Sequence, residues 1–169
     1  MTIFKPRFLA SLLFPGLLMS HAAMAVTVNI TGNVLASPCT VETANSVDLV
    51  LPDVDMATLA VSGTSTTGQS FDLTLKDCPT STTKVTATYN GTVSPLVDDS
   101  FSNTGTATQV AIWLKDSADT TIKPNTTRTV SINSTTKKAT FTQSVRMYSK
   151  GKAQAGTVIG NIVVGFTYQ

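Results

Sequence analysis

The 169-residue chain carries twelve basic and ten acidic groups, one histidine and two cysteines. The histidine, His21, and two of the basic groups, Lys5 and Arg7, fall within the first 25 positions; the 144 residues that follow hold ten charges of each sign and no histidine. A neutral chain of that length builds one domain with a real core. It lacks the basic field that draws nucleic acid or anionic lipid, and it has no imidazole for a catalytic triad or the usual zinc site.

Residues 1–25 are set apart by the basic start at Lys5 and Arg7, the apolar stretch Phe8 to Met19 and the small-x-small run Ala23-Met24-Ala25. They are expected to be a secretory signal peptide cut after Ala25, or else after Ala22. Pro15 interrupts the apolar run, which falls short of the roughly 20 residues that span a bilayer. Next comes VTVNITGNVLASPC, in which Val26, Val28, Ile30, Gly32 and Val34 alternate with polar neighbours. This segment precedes the first cysteine and has no evident place within a domain that starts there. Cys39 and Cys78 are an even count in an exported chain, which predicts a disulfide. Closing a loop of about 40 residues, it would stabilise by about 4 kcal/mol in the chain-entropy model. A metal pair or a free thiol nucleophile has no comparable support.

Asp53 to Val61 predicts at most a short helical turn. Period-2 segments then recur: Ser70 to Asp77 with Phe71, Leu73 and Leu75 on one face, and Lys84 to Asn90 with Val85, Ala87 and Tyr89. Thr108 to Asp116 alternates Val110, Ile112 and Leu114 against Trp113, and Ala139 to Tyr148 carries Phe141, Val145 and Met147. Turn signals separate them at Asn90-Gly91, Asp98-Asp99, Asn103-Thr104-Gly105 and Lys123-Pro124-Asn125. The last segment, Gly156 to Gln169, places Val158, Gly160, Ile162, Val164, Phe166 and Tyr168 on one face of a half-buried strand. An all-β, antiparallel sandwich of immunoglobulin type follows from this pattern. It has one strand too many at its start and one too few at its end.

Over its whole length after the leader, the sequence resembles the chaperone-usher pilins, the subunits of type 1 fimbriae. Four features carry the resemblance together: the alternating extension before Cys39, the Cys39–Cys78 pair, Gly156 fourteenth from the C-terminus, and penultimate Tyr168. The resemblance implies an incomplete immunoglobulin-like β-sandwich that lacks its seventh strand and is completed by donor-strand exchange. It implies residues 26–37 as a donor extension and 38–169 as the pilin domain, on a subunit exported through the periplasm to a surface fimbrium. It further implies Val26, Val28, Ile30, Gly32 and Val34 as donor positions, and Gly156, Val158, Ile162, Val164, Phe166 and Tyr168 as the acceptor groove and chaperone-binding edge. The implied partners are a periplasmic chaperone, an outer-membrane usher and neighbouring subunits on both sides, with no nucleic acid and no small-molecule substrate. No cofactor, metal or catalytic residue is expected.

The other classes fare less well. Asp53-Val54-Asp55 and Asp98-Asp99 sit in turn-like contexts rather than in a calcium loop or a paired-carboxylate active site. A two-domain carbohydrate-binding adhesin would need a lectin domain for which there is no room, and the extension points instead to a linking subunit. Within the structural class the extension and residues 26–49 look most like tip-fibrillum adaptors, with the major rod subunit as the alternative. Trp113 reads as core or sheet-face packing before it reads as a sugar platform.

Overall fold

The computed structural model describes Thr31, residues 37–44 and residues 46–169. The leader and the extension positions Val26, Val28, Ile30, Gly32 and Val34 lie outside the described residues.

Among the described residues eight strands form: β1 (Thr40–Val41), β2 (Gln69–Lys76), β3 (Lys84–Asn90), β4 (Val110–Asp116), β5 (Thr121–Ile122), β6 (Thr126–Ser131), β7 (Ala139–Ser149) and β8 (Val163–Tyr168). They build an antiparallel five-stranded sheet in the order β1-β2-β7-β4-β5 and a three-stranded sheet in the order β6-β3-β8. The alternation seen in the sequence is the alternation of burial. On β3, Val85, Ala87 and Tyr89 are fully buried; on β7, Phe141, Val145 and Met147 turn inward, and on β4, Val110, Ile112 and Leu114 do. Trp113 lies on the opposite face of β4, its ring centroid 4.0 Å from that of Tyr148, which agrees with the expectation of sheet-face packing.

Cys39 and Cys78 are joined by a disulfide. It ties the residue before β1 to the end of β2, and both sulfurs are buried in the main core with Leu75, Tyr89, Phe101, Leu114 and Phe141. A smaller cluster of Leu59, Ala107, Val110, Met147 and Ala153 closes one end. Leu59 reaches it from a single 3₁₀ turn, Met56–Leu59, which is the helical turn expected at Asp53 to Val61. Asp55 precedes that turn without a side-chain cap, so packing of Leu59 rather than capping holds it.

Strands β5 and β6 were not anticipated. The inward positions of β6, opposite Tyr89, Ala87 and Val85, are Thr126, Arg128 and Val130, so the strand shows no apolar alternation to read.

A candidate acceptor groove along the last strand

Strand β8 pairs with β3 and, among the described residues, with no other strand. The register sets Val164 opposite Tyr89, Phe166 opposite Ala87 and Tyr168 opposite Val85. These six side chains share one face of one sheet, and their exposure separates them by strand. The β3 members are completely buried, whereas Val164, Phe166 and Tyr168 are only half-buried. The difference is one of neighbours: among the described residues β3 is flanked by β6 and β8, and β8 by β3 alone.

Other side chains packed on the same core are half-buried as well. Phe71 and Leu73 of β2, and Leu49 and Leu51 in residues 46–52, lie against the main cluster together with the β8 residues. Phe141 of β7 faces Phe166 with ring centroids 5.9 Å apart. Residues 46–52 belong to no strand and make no backbone hydrogen bond among the described residues, and Val50 there is 85% exposed. The core is therefore bordered by two stretches of chain, β8 and residues 46–52, each with backbone groups that find no backbone partner among the described residues. The tip of Tyr168 reaches the Cys39 carbonyl at 3.5 Å. Burial pushes its hydroxyl up from the ordinary tyrosine value, so it stays a donor.

The strand begins later than its sequence pattern. Val163, not Val158, is its first residue, because residues 156–161 are held by the loop at 103–107. Thr157 and Thr106 exchange side-chain and backbone bonds, Thr106 N donating to Thr157 Oγ1 at 3.1 Å and Thr157 N to Thr106 Oγ1 at 2.9 Å. Asn103 holds the clasp at three points: its Oδ1 accepts from the amides of Gly105 (2.8 Å) and Ile159 (2.9 Å), and its Nδ2 donates to the Ala107 carbonyl (2.8 Å). Glycine is needed here on both sides. A Cβ on Gly156 would run into the backbone of Thr106 and Ala107, and one on Gly105 into the Thr157 carbonyl. The structure thus places Gly156 in the clasp, with Val158 and Ile162 half-buried between clasp and strand. A Cβ on Gly160 would collide with Ile112, whereas Gly165 pairs regularly with Thr88 and has open space around it. The donor positions lie outside the described residues, so only the accepting side can be placed.

The clasp and the lip formed by Leu49 and Leu51 were missed from the sequence. Alternation of Val47, Leu49 and Leu51 was a readable signal for the lip. No local signal announces a contact between Asn103 and Ile159.

The model of the family described as fimbrial protein matches residues 28–169. The protein FimG of Escherichia coli K12 is 31% identical over 147 residues, which are 86% of each chain. Among solved structures, the CupB6 tip adhesin of Pseudomonas aeruginosa superposes with a TM-score of 0.66 at 18% identity over 79% of this chain; the match spans 39% of the adhesin's own chain. The P pilus rod subunit PapA superposes with a TM-score of 0.64 at 11% identity, over 79% of this chain and 100% of that one. Both structural matches share the sandwich fold, and the matched family is one of structural fimbrial subunits. The chain belongs to the fimbrial protein family, as a chaperone-usher pilin with an incomplete immunoglobulin-like fold.

Proposed function

We propose that this fimbrial subunit links two neighbours by strand exchange, offering β8 as acceptor on one side and residues 26–37 as donor on the other. The observation that carries the reading is the step in burial between paired residues of β3 and β8. A strand laid between β8 and residues 46–52 would satisfy both backbones and cover Val164, Phe166 and Tyr168, the mode of edge addition by which pilins are completed. Val26, Val28, Ile30 and Val34 supply aliphatic side chains at the period such a strand needs, and Gly32 suits a point of close approach. Burying four of them contributes on the order of 10 kcal/mol before ordering costs. Before assembly, a periplasmic chaperone's strand occupies the same edge, and an outer-membrane usher hands the subunit to the fibre on the cell surface. Because donor and acceptor differ, the contact is head to tail and the polymer open. Likeness to FimG over 86% of each chain favours a tip adaptor.

The test is a chain beginning at Pro38, titrated with a synthetic peptide of residues 26–37. Tight binding, a raised melting temperature and loss of both for a peptide with Ile30→Asp are expected. A Pro38 chain that is monomeric, fully stable and indifferent to the peptide would sink the proposal.

A further inference from the structure

The two ends of the sandwich differ in what they expose. At one end lie the start of β8, the end of β3, the start of β4 and the end of β7. Backbone hydrogen bonds tie this end together across both sheets. Gly63 N donates to the Ser149 carbonyl (2.9 Å), Lys150 N to that of Gln109 (3.0 Å), Ala107 N to that of Thr157 (3.0 Å) and Thr104 N to that of Ile159 (2.9 Å). At the opposite end lie the disulfide, the start of β3 and the end of β8. There Thr82 Oγ1 donates to the Ser37 carbonyl at 2.8 Å and Thr83 N to that of Gln169 at 2.6 Å, so the chain enters the domain where β8 finishes.

Eight large apolar side chains are exposed among the described residues, and five of them, Met56, Val61, Val93, Ile159 and Val163, belong to the first end. Ile159 is 55% exposed and Val163 63%. Val93 joins them because its loop bridges to Phe101 and from there to Ile112 of β4. Of the other three, Val47 and Val50 lie in or beside the lip, and Val41 lies near the disulfide. Apolar surface gathered in one place marks an interface.

We propose that this apolar end docks the disulfide-bearing end of the neighbouring pilin domain, the one that donates the strand. The inference rests on the strand-exchange reading and adds a second contact to it. A strand that entered parallel to β8 would bring the donor's domain to the end where this domain's own extension leaves, and the two joints would collide. One that enters antiparallel continues the alternation of both sheets and leaves the donor's domain at the opposite end. Nine residues, Val26 to Val34, laid in that direction reach from the level of Tyr168 to that of Gly160. From Val34 to Pro38 the chain then has four steps, at most about 14 Å. The donor's domain is thereby held against Ile159, Val163 and Val93, and it arrives by its entry end, which in this chain carries Pro38, Val41 and the disulfide. Apolar contact there turns a tether into a joint of fixed angle.

The experiment uses the full chain as secreted as acceptor, with two fluorescent donors: the peptide of residues 26–37 and a second copy of the chain. The release rate of each donor from the preformed joint is measured. The copy is expected to leave about tenfold more slowly than the peptide. Ile159→Ser with Val163→Thr should abolish that difference while peptide release and melting temperature stay as in the wild type, since both side chains are exposed. Equal release of copy and peptide from the wild type, or a difference that survives the double substitution, would overturn the second contact and leave strand exchange standing. Peptide bound but no joint formed with the copy would overturn it too, because the two ends would then exclude each other. A wild-type chain that fails to bind the peptide at all would overturn strand exchange, and this inference with it.

Discussion

Phe166 offers the most direct test of the groove, because its environment should differ between the free and the joined subunit. In the free chain it is half-buried, opposite Ala87 and 5.9 Å from the ring of Phe141. Truncating a fully buried phenylalanine to alanine costs about 3 to 5 kcal/mol. With one side open, the free chain should lose only about half of that, about 2 kcal/mol. A further 2 kcal/mol or so should appear only when a strand covers the ring, which corresponds to about a 30-fold weaker joint. For a domain of this size the first loss is a fall of about 8 °C in melting temperature. The assay is thermal melting of the Pro38 chain, wild type and Phe166→Ala, with and without the peptide of residues 26–37, together with the peptide's dissociation constant. A larger loss in the peptide-bound form is expected. Equal losses with and without peptide, at unchanged affinity, would refute the idea that Phe166 faces an incoming strand.

The clasp should matter through Asn103, whose replacement by alanine removes three hydrogen bonds and should cost about 2 to 3 kcal/mol in chemical denaturation. Gly156→Ala and Gly165→Ala should part company. The first meets the backbone of Ala107 and should destabilise by about 1 to 3 kcal/mol; the second meets nothing and should be neutral or stabilising by about 0.5 to 1 kcal/mol. Glu42 is held below its usual 4.5, first by the hydrogen bond from Lys138, which outweighs the opposing effect of desolvation, and then by the nearby charges of Lys138 and Lys76. Its contribution is present above 4.5 and fades as the pH falls through the lowered folded value. Melting curves between about pH 7 and pH 3 should therefore converge for wild type and Glu42→Gln as the solution is acidified. A gap that widens on acidification would contradict the assignment.

The elements with an apolar period were legible one by one. Strand β3 runs over the same residues, Lys84 to Asn90, that alternate in the sequence, and β2, β4 and β7 differ from their patterns by one or two positions. The last strand was legible in kind but not in length. The face from Val158 to Tyr168 alternates throughout, and only contacts made about 50 residues away show that its first part is pinned to the loop at Asn103. Strand β6 was illegible because its inward positions are Thr126, Arg128 and Val130. An edge strand with an ion-paired arginine at its central inward position does not have the pattern by which buried strands are recognised. Tyr89 shows the same limit within one side chain: the sequence places the ring in the core, and only the fold shows that its hydroxyl finds no partner among the described residues.

That polar edge also bears on why strand addition should be confined to one side. A three-stranded sheet has two edges, and either could in principle recruit a neighbouring chain. On β8 the inward positions are Val164, Phe166 and Tyr168, half-covered and apolar, so a strand added there buries hydrophobic surface as it pairs. On β6 the corresponding position opposite Ala87 is Arg128, paired with Asp116. A strand added along β6 would gain the same main-chain hydrogen bonds but would have to bury an ion pair, whose desolvation offsets much of the gain. An inward-pointing charge is one of the devices by which edge strands are kept from pairing. Arg128→Val with Asp116→Asn should then leave the domain folded while making β6 a second site of self-association, visible as concentration-dependent oligomers that the peptide of residues 26–37 fails to disperse. If the doubly substituted chain stays monomeric once the β8 edge is filled, the protection of β6 lies elsewhere than in that pair.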